Sequence, residues 1–124
     1  MSGLPSVADI LGGVEYEEPI AARWSDVASA SLRRDEEAVL RTLLGAVIAE
    51  PDWRRAQDEC LRLLQHDEPA VRRLAVTCLG HVARIHGQID RPRVLAALDQ
   101  AASSDPGVAG QVADARDDID HFTQ

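Results

Sequence analysis

The chain has 124 residues with 13 basic and 21 acidic side chains, which give a formal net charge of −8. This is the length of one domain, and the acidic balance excludes a generic nucleic-acid binder, which needs a surplus of basic side chains against phosphate. Hydrophobic residues make up 45% of the chain but aromatic residues only 3%. Because Ala and Leu favour helices whereas aromatic residues favour strands, this composition indicates an all-α fold rather than a β-sandwich.

Residues 1–24 are predicted to form an N-terminal arm. Gly and Pro residues, which interrupt helical periodicity, occur there with the acidic run Glu15, Glu17 and Glu18. We expect a partly extended arm that packs its apolar residues on the domain; a disordered leader is the alternative. The arm has neither a basic start nor an apolar stretch, so we expect no secretory signal, and no apolar run approaches the roughly 18 residues that span a bilayer. We therefore expect a soluble, cytoplasmic protein.

Six helices are predicted between residues 25 and 122, because apolar residues recur there at helical spacing. The residues expected to begin these helices, as caps or in the first turn, are in chain order Ser25 or Asp26, Asp35, Pro51, Pro69, Asp90 and Asp105. Ser, Asp and Pro favour these positions because the first turn of a helix has N–H groups without an intrahelical partner. Gly87 is expected to end the fourth helix.

The apolar stripe of each predicted helix is expected to face the core. On the fourth helix this stripe runs to Ile85, and on the sixth it ends with Phe122. Cys60 and Cys78 lie on such stripes and are predicted to be buried, reduced thiols, since small cytosolic proteins rarely keep disulfides.

Three turns of the sequence are similar to one another. They are Asp35–Val39, Asp67–Val71 and Asp105–Val108, whose valines are 32 and 37 residues apart. A period of about 30 to 47 residues with two helices per unit is typical of an α-solenoid. The physical reason is that one helix pair cannot bury its apolar face alone.

The middle turn continues into a helix with a recognisable pattern, Asp67-x-Pro69-x-Val71-Arg72-x-x-Ala75-x-x-x-Leu79. This segment resembles the HEAT-repeat family. The last repeat departs from the family at Ala109 and the first at Leu40, where the family has Arg. The resemblance covers residues 25–122 and implies a short right-handed α-solenoid of about two and a half to three helix pairs. It also implies that Asp67 and Arg72 join neighbouring repeats by ion pairing.

Polar residues at three places are candidates for protein binding. They are Arg73, Thr77, His81 and Arg84 on the fourth helix, Asp114, Asp117, Asp118 and His121 on the sixth, and Glu15, Glu17 and Glu18 in the arm. The four residues of the fourth helix are spaced by 4, 4 and 3 residues and therefore share one face. In HEAT-like folds the second helix of each pair lines the concave surface, which is a common binding surface. A solvated face is the alternative for each set.

Catalytic patterns are not found in the sequence. It has no Gly-rich phosphate loop and no nucleophile elbow, and its His and Cys residues lack metal-ligand spacing. We therefore expect no enzyme activity, no cofactor and no bound metal.

The expected function is protein binding, most specifically that of an immunity- or antitoxin-like inhibitor that masks a toxin. A small acidic domain is complementary to a basic toxin domain, and this complementarity speeds capture. The alternative is a cytoplasmic adaptor, chaperone-like protein or assembly factor that uses a HEAT-like concave surface. A DNA-reading enzyme of the HEAT-like glycosylase kind needs a basic groove and is disfavoured by the charge. We expect no nucleic-acid or membrane partner, and a monomer and a homodimer both remain open.

Overall fold

The computed structural model describes residues 24–123, which form six α-helices joined by short turns. The helices are α1 (Trp24–Leu32), α2 (Glu36–Ala49), α3 (Trp53–Leu63), α4 (Pro69–His86), α5 (Arg91–Ser104) and α6 (Ala109–Phe122), and a 3-10 turn (Pro106–Val108) precedes α6. The prediction of an all-α fold is confirmed for this part of the chain. The predicted arm lies outside the described residues, except that Trp24 is the first residue of α1 rather than the last of the arm.

Two of the predicted N-caps are confirmed. The carboxylate of Asp35 accepts a hydrogen bond from the backbone N–H of Ala38 at 3.1 Å. Asp90 caps α5 in the same way. Asp105 caps the 3-10 turn that leads into α6, whereas α6 itself begins only at Ala109, with Val108 as its N-cap and no side-chain cap. These caps satisfy backbone donors that have no partner inside the helix.

The predictions for the starts of α1 and α3 are wrong. Because α1 begins at Trp24, Ser25 and Asp26 lie inside its first turn. Pro51 precedes α3, whose N-cap is Asp52, with its carboxylate 2.9 Å from the backbone nitrogen of Arg54. A carboxylate satisfies a free N–H directly, whereas proline only removes one, so the neighbouring Asp sets the boundary.

Helix α4 lies at the centre of the fold and packs against α2, α3 and α6. It ends as predicted at Gly87, which has a φ of +66° and donates its N–H to the carbonyl of Ala83 at 2.8 Å. Cys60 and Cys78 are both fully buried and free. A single buried cluster of mostly aliphatic residues extends through all six helices, which explains how the chain forms a core with few aromatic residues.

Ile85 and Phe122 are not core residues, contrary to the sequence prediction. Their exposed fractions are 47% and 38%. Ile85 lies in the last turn of α4, where neighbouring helices cover a side chain less completely than in the middle of a helix. Phe122 is the last residue of α6 and is uncovered for a similar reason.

Neighbouring helix pairs are joined by polar contacts between residues 33 to 35 positions apart. The Arg34–Asp67 and Arg72–Asp105 ion pairs, at 3.6 and 3.3 Å, link successive turns. At the other end of the helices, the backbone N–H of Asp90 donates to the Gln57 side chain at 2.7 Å. Arg72 thus pairs with the Asp of the following turn, and its Nη1 also donates to two backbone carbonyls of the α3–α4 turn.

Candidate binding groove between α4 and α6

The structure brings two of the predicted sets of polar residues together. Thr77, His81 and Arg84 of α4 face the acidic residues of α6 across a groove of about 410 Å³. The α6 wall consists of Gln111, Asp114, Ala115, Asp117 and Asp118. We call this feature the α4–α6 groove. The basic middle of the sequence and the acidic last helix are therefore two walls of one surface, rather than separate faces.

Gly80 allows α4 and α6 to approach closely below the groove. A Cβ atom at this position would lie 2.9 Å from Oδ2 of Asp118 and 3.4 Å from Cα of Ala115. The first distance is shorter than van der Waals contact, so a larger residue would displace Asp118. The sequence analysis missed Gly80, although a Gly inside a helix, where it costs about 1 kcal/mol relative to Ala, is a signal of close packing.

Asp118 is held in the groove by Arg84. An Nη2–Oδ2 distance of 3.2 Å joins the two side chains, and Asp118 is the less exposed partner, at 27% against 51%. The guanidinium of Arg84 also lies 5.9 Å from the centre of the Phe122 ring, within the range of a cation–π contact. Two residues of α6 therefore orient Arg84, and Arg84 neutralises one of the three carboxylates.

Asp114 and Asp117 keep their charges uncompensated. Both side chains are exposed, and within residues 24–123 neither carboxylate has an ion-pair partner. Arg116, the basic residue between them in sequence, instead pairs with Asp99 of α5 at 2.7 Å. The groove therefore contains three carboxylates and one guanidinium and attracts cationic groups.

His81 is half-buried in the α4 wall. Burial is the largest influence and lowers the pKa of the imidazole; the Arg84 charge lowers it further, and Asp118 partly opposes both. Desolvation disfavours the charged form of His, so His81 adds no positive charge to the groove at neutral pH.

The other predicted binding residues lie elsewhere. Arg73 is on α4 but outside the groove lining. His121 is exposed and contacts the Phe122 ring edge-on, with 4.6 Å between ring centres. Glu15, Glu17 and Glu18 are outside the described residues.

A second cleft, of about 730 Å³, lies between the α3–α4 turn, α4 and α5 and was not predicted from the sequence. Its apolar lining includes Val76, Ala97 and Val108. Its charged lining groups are already paired, since Arg72 meets Asp105 and Asp67 meets Arg34. The cleft is larger than the α4–α6 groove but presents no uncompensated charge.

Metal-binding and reactive groups were also considered. Within residues 24–123, no three His, Cys, Asp or Glu side chains are grouped in a way that could hold a metal ion. A hydrogen bond with Cys78, together with burial, raises the pKa of the Cys60 thiol. This thiol is therefore protonated at neutral pH and a poor nucleophile. None of the described helices has the length and apolar character needed to cross a bilayer.

Comparison with protein-family models, curated proteins and solved structures gave no match to this chain. The geometry of the α4–α6 groove is therefore the main indication of what this chain binds.

Proposed function

We propose that this chain is a non-catalytic binding module that captures a basic protein, in the manner of an immunity- or antitoxin-like inhibitor that masks a toxin. The observation that carries this proposal is the pair of uncompensated carboxylates, Asp114 and Asp117, at the edge of a groove whose third carboxylate is already fixed by Arg84. Paired charges inside one protein contribute little to a partner, whereas uncompensated charges attract opposite charge and accelerate association.

A HEAT-like solenoid is the proposed architecture behind this surface. The contacts that recur at 33 to 35 residues support it, because stacked repeats contact mainly their neighbours. In this arrangement, α2, α4 and α6 are the second helices of their pairs and form the concave side. The α4–α6 groove then belongs to the surface that such folds commonly use for binding.

An adaptor or assembly factor is the second candidate. It is supported by two exposed apolar residues of α2, Leu44 and Ile48, whose exposed fractions are 37% and 42%. They are four positions apart and share a face. A partner that uses this face would bind by apolar contact and would depend little on salt.

The test is affinity capture from the source cell, followed by binding measurements on the captured protein. We expect a partner with a basic isoelectric point, an affinity that falls as salt rises, and a loss of at least about tenfold in affinity in the Asp114→Asn/Asp117→Asn variant. The charge-matched control is Glu37→Gln/Asp67→Asn, whose carboxylates are exposed and outside the groove.

Equal binding by the two double variants would contradict the proposal. Binding that is insensitive to salt but lost in a Leu44→Gln/Ile48→Gln variant would instead support the adaptor.

A further inference from the structure

His81 is placed where a cation bound in the α4–α6 groove would meet it. It lines the groove between Thr77 and Arg84 on the α4 wall. The charged groups that line the groove with it are Arg84 on its own helix and Asp114, Asp117 and Asp118 on α6. Helix α2 also packs on α4, but its charged residues are not part of the groove lining.

We propose that a cationic side chain of the partner and a proton on His81 compete for the α4–α6 groove, so that the groove releases its partner as the pH falls. This inference rests on the proposed function, since it assumes that a basic group enters the groove. It goes beyond that function because it names His81 as the residue that takes up the proton and gives the direction in which partner affinity changes with pH.

The sign follows from the charges. A bound Lys or Arg side chain brings a positive charge close to His81 and makes protonation of the imidazole less favourable. By linkage, protonation of His81 must weaken cation binding by the same factor. Because burial and Arg84 already lower the pKa of His81 in the free protein, affinity is constant at and above the ordinary pKa of His, and it falls only once the pH drops below the lowered pKa of His81.

Asp118, whose charge acts on His81, is not free to compensate a proton on the imidazole. It is fixed by Arg84 at 3.2 Å, so it cannot turn away to neutralise a new charge on His81 without losing that ion pair.

The experiment uses the full chain and a hexa-arginine peptide as the probe, because its charge does not change in this range. Calorimetric titrations at about pH 7.5 and about pH 5 bracket the ordinary pKa of His. If the bound peptide lowers the pKa of His81 by about one unit, affinity should fall several-fold between these conditions, towards a limit of about tenfold at still lower pH. In His81→Gln the two affinities should agree within about twofold. His121→Gln is the matched control, since His121 is exposed on α6 outside the groove, and it should keep the full response.

A second measurement does not depend on calorimetry. In an NMR titration, saturating hexa-arginine should lower the pKa of His81 further and leave the resonances of the His121 ring unperturbed. Binding that is equally strong at both pH values would overturn the inference and leave the proposed function standing. If the peptide bound at neither pH, or if Asp114→Asn/Asp117→Asn bound it as well as the wild type, both would be wrong.

Discussion

Gly80 sets the distance between α4 and α6, and therefore the shape of the groove between them. Its missing Cβ leaves room for the carboxylate of Asp118, which Arg84 then fixes from the same helix. Two residues about one turn apart on α4, together with Asp118 on α6, thus provide both the close packing and the orientation of the acidic wall. A substitution at any of them should be felt at the other two.

We expect the effects of Gly80→Ala and Asp118→Ala on stability to be coupled. In the wild type, the new Cβ would force Asp118 away from Arg84, which offsets the gain of about 1 kcal/mol in helix propensity. In an Asp118→Ala background that clash is absent, so Gly80→Ala should stabilise the fold by about 1 kcal/mol. The measurement is a double-mutant cycle of unfolding free energies in urea.

Gly110→Ala in α6 is the control for this cycle, because a Cβ atom there would meet nothing within 4 Å. It should stabilise the protein by up to about 1 kcal/mol in either background. Additive effects of the Gly80 and Asp118 substitutions would show that the close approach has no energetic consequence.

At the scale of helices and turns, the two ion pairs that link successive turns are unequal. Arg72 is 27% exposed and pairs with Asp105 while its other nitrogen donates to the carbonyls of His66 and Asp67. Arg34 is 73% exposed, and among residues 24–123 its side chain makes only the ion pair with Asp67. Ion pairs with the same spacing along the chain are therefore partly buried in one case and exposed on the surface in the other.

We expect Arg72→Ala to lower the free energy of unfolding by about 1 to 2 kcal/mol, since it removes several charge-assisted hydrogen bonds and leaves two carbonyls without a donor. Arg34→Ala should cost less than about 0.5 kcal/mol, as is usual for exposed ion pairs. Chemical denaturation of both variants checks the prediction. Equal losses would mean that the turn contacts of Arg72 contribute nothing beyond its ion pair.

Features that depend on a few neighbouring residues could be predicted from the sequence, whereas features that depend on how the helices pack could not. Caps such as Asp35 and Asp90 depend on a few neighbouring residues, so they were predicted correctly. Ile85 and Phe122 were wrongly predicted to be core residues, because they continue the apolar stripes of α4 and α6. Hydrophobic periodicity carries no information on how completely the end of a helix is covered by its neighbours. The groove could not be predicted as one site, since it depends on how α4 and α6 pack at Gly80.

At the scale of the whole molecule, the central position of α4 couples the stability of the helices to one another. It contacts α2, α3 and α6, and the buried cluster is continuous across the described helices. Helix α4 thus contacts a helix of each described pair, and the pairs share one buried core.

Unfolding should therefore be a single two-state transition. Trp24 and Trp53 report on α1 and α3, where both pack against the core, whereas far-UV circular dichroism reports on all six helices. We expect the two signals to give the same midpoint and the same denaturant dependence. A fluorescence transition that precedes the loss of helix would show that the first two helix pairs unfold independently.

In the proposed HEAT-like solenoid, the recurrence of links at 33 to 35 residues would allow another helix pair to be inserted into the stack. Arg72 faces forward to the next turn while Asp67 faces back to the previous one, so each pair of helices presents complementary ends to its neighbours. A tandem duplication of the α3–α4 unit would place a second Asp67 opposite the first Arg72, and the second Arg72 opposite Asp105. Such a duplication would keep an Asp–Arg pair between successive turns, but it would also create a new interface between the two copies of α4, in which the acidic wall of α6 is absent.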